Sequence, residues 1–241
     1  MVYKRNLGKF GLAVLGALAL GLSGCSGADF GSELSARPKP RKLSGTDTQP
    51  LHLPRDAAFS IVFAPATKDP GLGGDAKADA TASRDGSAAI MAAVTESGSA
   101  TAEFKLGHAF ENDTARQVDL VIAVSLDYEY TAVADESVAL PDAFVGLKLY
   151  ATDRRNRTLR SYDLIRHSTE KGGAKVRSNE RIEFSLVLAP GASVNVYLAG
   201  LAKVAIKQGR SASGSLTITG VQMEAATRPA PPVRTAADEQ G

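Results

Sequence analysis

The sequence predicts an all-β protein, a single antiparallel β-sandwich of immunoglobulin-like or jelly-roll type. Three observations predict it. Apolar residues recur at every second position in several separate stretches, the mark of strands buried on one face. Pro-Gly, Gly-Gly and Gln-Gly pairs fall between those stretches, where turns are needed. Beyond the first two dozen residues, no stretch carries a convincing helical period.

The clearest stretch is Val118–Tyr130, VDLVIAVSLDYEY. Leu120, Ile122, Val124, Leu126, Tyr128 and Tyr130 share one face, while Asp119, Ser125, Asp127 and Glu129 share the other. At about 3.3 Å per residue such a strand would exceed roughly 40 Å, so a bend or bulge is expected. Arg181–Leu188 alternates in the same way, with Ile182, Phe184, Leu186 and Leu188 on one side. Val145, Leu147 and Leu149 form a shorter set, as do Val194, Val196 and Leu198. Ala57–Ala64 is a candidate first strand, ended by Pro65, and Leu216–Val221 a candidate last one. Turns are expected at Lys171-Gly172-Gly173, at Pro190-Gly191, where a type II turn wants Pro then Gly, and at Gln208-Gly209. Roughly eight or nine strands result. Residues 66–96 are rich in Gly, Ala and Asp and read as a loop or insertion, with room for a short helix. No linker interrupts residues 100–223, so residues 51–225 read as one domain. The tail, 226–241, is Pro-rich and polar and reads as disordered.

The N-terminal end has a different texture. MVYKRNLGKF is basic, and GLAVLGALALGL is an apolar run of about a dozen residues, short of the roughly 20 a membrane-spanning helix needs. Then comes Leu22-Ser23-Gly24-Cys25. The segment resembles the bacterial lipoprotein signal class, whose lipobox is an aliphatic residue, two small residues and a cysteine. The resemblance implies that residues 1–24 are a signal peptide, with Leu22, Ser23 and Gly24 recognised by the signal peptidase. It implies that Cys25 is the acylated first residue of the mature chain and its link to the membrane. It also implies a cell-envelope location, with the outer membrane favoured in a diderm organism because Ser26, not Asp, follows the cysteine. Residues 25–50, rich in Ser, Gly, Pro and charge, read as the lipidated Cys and a flexible tether. The cations Arg37, Lys39, Arg41 and Lys42 within it read as solvated.

Composition limits the function classes. The 241 residues carry a net charge of +2, but Lys4, Arg5 and Lys9 belong to the leader. Without those three cations, 25 basic residues face 26 acidic ones, a balance that points away from nucleic acid. One cysteine excludes an intramolecular disulfide and a cysteine-based metal cluster. Tryptophan is absent, which removes the commonest sugar-stacking platform.

Candidate chemistry is sparse. His52, His108 and His167 are widely separated, so no zinc site is expected and no cofactor is implied. Asp69, Asp75, Asp79 and Asp85 raise the question of calcium, but without EF-hand spacing. Asp127 and Glu129 share one polar strand face, a pair that a hydrolase could use only if they converged in a cleft. His167-Ser168-Thr169-Glu170 holds catalytic residue types in what reads as a hairpin loop. Arg154, Arg155, Arg157 and Arg160 crowd a hairpin tip; they read first as charges that keep a strand edge soluble, and second as candidate contacts for an anionic partner. Tyr128, Tyr130, Tyr150, Tyr162 and Tyr197 offer rings, with core packing expected for the first two. The expected function is a non-catalytic binding or structural module for an envelope protein partner. The alternative is a glycan-binding module and, behind it, a carboxylate-dependent hydrolase.

Overall fold

The computed structural model describes residues 38–44, 49–135 and 142–229. The lipobox, Arg37 and residues 230–241 lie outside the described residues. The strands are β1 (Arg41–Leu43), β2 (Leu51–Leu53), β3 (Ile61–Phe63), β4 (Ala66–Pro70), β5 (Asp75–Ala82), β6 (Ala88–Asn112), β7 (Val118–Ala134), β8 (Ala143–Asp153), β9 (Thr158–Ser168), β10 (Ala174–Leu188) and β11 (Ser193–Pro229). A three-residue 3-10 helix, Thr169–Lys171, joins β9 to β10. The chain is an antiparallel β-sandwich; the short β1 alone pairs parallel, against the end of β6.

Two strands organise the sandwich. β6 has 25 residues and β11 has 37, and they run antiparallel from Glu111 opposite Ser193 to Ala88 opposite Ile218. Both bend at the same level. Glu96 and Gly98 on β6 have φ of 68° and 133°, and the register on β11 slips between Ile206 and Arg210, around Gly209 with φ 64°. Glycine takes such angles at little steric cost, so this is where the ribbon folds over. One half of the ribbon lies in a layer with β3, β4, β8 and β9; the other lies in a layer with β5, β7 and β10. The layers face each other closely. A Cβ on Gly214 would sit 3.0 Å from Val145 Cγ2 and 4.0 Å from the Ala202 Cβ, so two halves of β11 press together across the core. Tyr162 of β9 meets Phe184 of β10, with ring centroids 5.5 Å apart.

Alternation fills the space between. Leu106, Leu149 and Leu198, at one level of the first layer, are essentially inaccessible. Burying each such side chain is worth about 1.5–3 kcal/mol. In the second layer Leu120, Ile122 and Val124 of β7 point inward with Phe184, Leu186 and Leu188 of β10, as their period of two predicts. On β11 the inward set changes parity. Leu216 and Ile218 are buried, then Val221, Met223 and Ala225. The cause is a bulge at Thr219, where the register against β7 slips between Ile218 and Gly220. The expected irregularity beside the long β7 thus falls on its partner.

One end of the sandwich is closed by Asn112. Its side-chain amide donates to the carbonyls of Arg116 and Leu188, at 2.8 and 2.9 Å, and its oxygen accepts from Thr114 N and Oγ1. It ties the β6–β7 turn to the β10–β11 turn, where Gly191 has the positive φ, 70°, expected after Pro190.

Four expectations are corrected. Residues 66–96 are mainly strand, not a long loop or a helix; they form β4, β5 and the start of β6, joined by two short turns. β5 reads DAKADATA, and its alanines 76, 78, 80 and 82 face inward while Asp, Lys and Thr face out. The alternation is present, but alanine is a weak strand former and a small hydrophobe. The stretch 25–50 is not wholly a tether, because β1 docks on β6 with Leu43 buried and Lys42 Nζ 2.9 Å from Asp113. The last strand runs to Pro229, so residues 226–229 belong to the domain and pair with Val118–Val121. The strand expected over Ala57–Ala64 shrinks to Ile61–Phe63, preceded by β1 and β2.

Candidate functional site: a groove on the second layer

The outward face of β7, β10 and β11 carries the largest of the described concavities; another, of about 620 Å³, lies at the ribbon corner between residues 71–73, 96–98 and Gly209. Register sets the floor of the largest: Ser125 lies between Arg181 of β10 and Gln222 of β11, and Ala123 lies beside Glu224. The small side chains at 123 and 125 leave room above the sheet. The β5–β6 turn and the 54–58 loop rise on the β11 side, and Arg181 rises on the β10 side. The result is a cavity of about 890 Å³, lined by residues including His52, Arg55, Arg84, Asp85, Arg181 and Glu224. A second depression of about 290 Å³ shares Ser125, Arg181 and Gln222 with it and adds Asp127 and Asn179. A third, of about 350 Å³, shares Asp127 and adds Glu129, Arg177, Thr217 and Thr219. Together they form a groove that follows β11 from Glu224 to Ser215, about 30 Å at strand rise. The Thr219 bulge lies within it, bending the strand and turning its polar side chains into the groove.

The walls are held by local bonds. In the β5–β6 turn, the Asp85 carboxylate accepts from Ser87 Oγ at 2.7 Å and Ser87 N at 2.9 Å. These bonds hold its carboxyl below the usual range. Gly86, at φ 98°, lets the turn lie against β11, with Val221 N donating to Gly86 O at 2.9 Å. A Cβ there would approach Val221 O to 2.7 Å, so another residue would push the wall away. In the facing loop Asp56 accepts from Arg55 Nε at 2.9 Å and from His52 N at 2.8 Å, and the Arg55 bond leads in lowering its carboxyl. Arg181 Nη1 donates to Ser125 Oγ at 3.3 Å and Nη2 lies 4.0 Å from Glu183. The Arg84 side chain has no ion-pair partner among the described residues.

The residues singled out in the sequence fall largely elsewhere. Arg154, Arg155, Arg157 and Arg160 do crowd the β8–β9 tip, as expected. Two of them are engaged internally: Arg154 with Glu111 and Ser193 Oγ, both at 2.9 Å, and Arg157 with Asp153 at 2.6 Å. Asp127 and Glu129 point outward into the groove, where Glu129 pairs with Lys175 at 3.6 Å. His52 lines the cavity, His108 is buried beside Phe110, and His167 packs on Tyr130. Among the described residues no three of His, Cys, Asp and Glu gather as a metal site, and Asp69, Asp75, Asp79 and Asp85 are spread over β4, β5 and a turn. Tyr128, Tyr150 and Tyr197 are buried, the last two stacked at 5.5 Å, and Tyr130 and Tyr162 are half-buried. Sequence reading missed Arg84 and Arg181, each an isolated arginine in an unremarkable setting.

No protein-family model matches the sequence, and no curated protein matches it. Solved structures give distant likenesses. A carbohydrate-binding module of the β-sandwich superfamily is 11% identical, over 66% of this chain and 55% of the module, with a TM-score of 0.25. The infectious bursal disease virus Gt strain gives 12% identity over 76% of this chain and 38% of the viral chain, also at 0.25. The family 11 carbohydrate-binding module of a Clostridium thermocellum cellulosomal cellulase gives 7% over 68% and 86%, at 0.18. The chain thus spans about half or less of the first two, and likeness at these scores carries no argument about function.

Proposed function

We propose that the protein is a lipid-anchored, non-catalytic binding module of the cell envelope, and that its groove holds a strand of cell-wall glycan. The anchor is Cys25, in the lipobox context of Leu22, Ser23 and Gly24. The single observation that supports the glycan reading is the groove itself: three adjoining depressions of mixed polar and apolar lining, about 30 Å in combined length. Its lining of Ser, Thr, Asn, Gln, Arg and carboxylate side chains both donates and accepts hydrogen bonds, as a chain of hydroxyls requires. A protein partner, the first expectation from sequence, finds less support. The exposed large apolar residues among those described, Val62, Leu72, Val133, Leu159, Val176 and Val187, are spread over β3, the β4–β5 loop, β7, β9 and β10. The test is co-sedimentation of the full chain, held in mild detergent, with purified peptidoglycan sacculi. Retention that is lost when Ser125→Arg fills the groove is the expected result; wild-type protein that stays in the supernatant overturns the reading. For the anchor, Cys25→Ala is expected to move the full chain to the soluble fraction.

A further inference from the structure

We infer that the wide end of the groove is a carboxylate-recognition site, in which Arg84 and Arg181 clamp an acidic group of the wall polymer from opposite walls. The inference rests on the glycan reading and names what selects among glycans.

The topology places the two arginines apart. Arg84 belongs to the β5–β6 turn on the β11 side, and Arg181 to β10 on the far side of β7, with Ser125 and Gln222 on the floor between. The other charges lining the cavity differ in how far they are already engaged. Arg55 is occupied by Asp56, through contacts of 2.9 and 3.4 Å. Asp85 is turned to the two donors of Ser87 within its own turn. Glu224 faces His52 across the β2–β11 register, two residues along β11 from Gln222, and has no ion-pair partner among the described residues. Arg84 has no ion-pair partner among the described residues, and Arg181 spends one nitrogen on a neutral hydroxyl at 3.3 Å while its nearest carboxylate is 4.0 Å away. A guanidinium presents a rigid fork of donors matched to a carboxylate, and two such forks lining one cavity select a planar anion over a hydroxyl. Ser125 Oγ and the Gln222 amide add neutral donors at the floor.

The experiment compares binding of the full chain, held in mild detergent, to native sacculi and to sacculi whose carboxyls have been capped as neutral amides. The expected result is binding to both, about tenfold tighter to the native form, with Arg84→Gln and Arg181→Gln each removing most of that preference. Arg84→Lys and Arg181→Lys keep the charge but not the fork and are expected to behave like the Gln variants. Arg155→Gln, at the β8–β9 tip, is expected to leave both affinities unchanged. Equal binding to the two forms, indifferent to both arginines, overturns the carboxylate site while leaving the groove reading in place. Binding to neither form overturns the groove reading first, and the carboxylate site with it.

Discussion

Two arginine-bearing regions of the molecule differ in what their charges are doing. The β8–β9 tip carries four arginines within seven residues of sequence. Two of them form short ion pairs with Glu111 and Asp153 and brace the hairpin. Two of the arginines lining the groove, Arg84 and Arg181, come from a turn and an edge strand far apart in sequence and are only lightly engaged. Density of charge along the chain is therefore a poor guide to which arginines remain open to a ligand. What matters is whether the fold supplies a counter-charge.

Charges whose partners are internal should report on stability, and charges facing the groove should not. The largest effect is expected at the most enclosed pair. Arg210 Nη1 and Asp142 Oδ2 lie 3.1 Å apart, an ion pair in charge and distance but without hydrogen-bond alignment, with side-chain exposures of 13% and 6%, where β11 turns between layers beside the start of β8. Asp142→Ala strands a buried guanidinium and is expected to cost about 3–5 kcal/mol in urea unfolding. A loss under about 1 kcal/mol would show that the corner relaxes around the charge.

Buried His108 comes next. Burial, with the nearby Arg41 charge, pushes its pKa down to about 4 from 6.5. The unfolded chain therefore binds the proton more readily, and stability is complete above the unfolded value and falls as pH drops through this window. Between about pH 7 and pH 4.5 the loss is expected to approach about 2 kcal/mol, and His108→Phe is expected to flatten it. An unchanged slope in that variant would assign the acid sensitivity to other groups. A smaller effect is expected at the tip, where Glu111→Gln breaks an ion pair whose arginine is 60% exposed. Its cost is expected to be about 1 kcal/mol or less. Arg84→Gln, in the groove, is expected to fall within about 0.5 kcal/mol of wild type.

The same contrast between local pattern and assembled geometry explains what the sequence reveals. Period-two alternation is plain at Leu120–Tyr128, Val145–Leu149 and Ile182–Leu188, because large apolar residues mark the inward face. It is faint in β5, where alanine supplies that face, and it breaks in β11, where the Thr219 bulge moves the buried set from Ile218 to Val221. The ribbon corner announces itself only as scattered glycines, since its meaning lies in two strands bending at one level. The groove is not legible at all. Its floor and walls come from β2, the β5–β6 turn, β7, β10 and β11, and none of these segments is distinctive alone.

The absence of tryptophan from the chain offers a direct measurement. Thr217→Trp places one indole at an exposed position along the groove, and Arg155→Trp places one at the arginine-rich tip. Titrating each variant with solubilised peptidoglycan fragments should shift the emission of the first in a saturable way and leave the second unchanged. A saturable shift at Arg155→Trp with none at Thr217→Trp would contradict the account and return the binding surface to the β8–β9 tip.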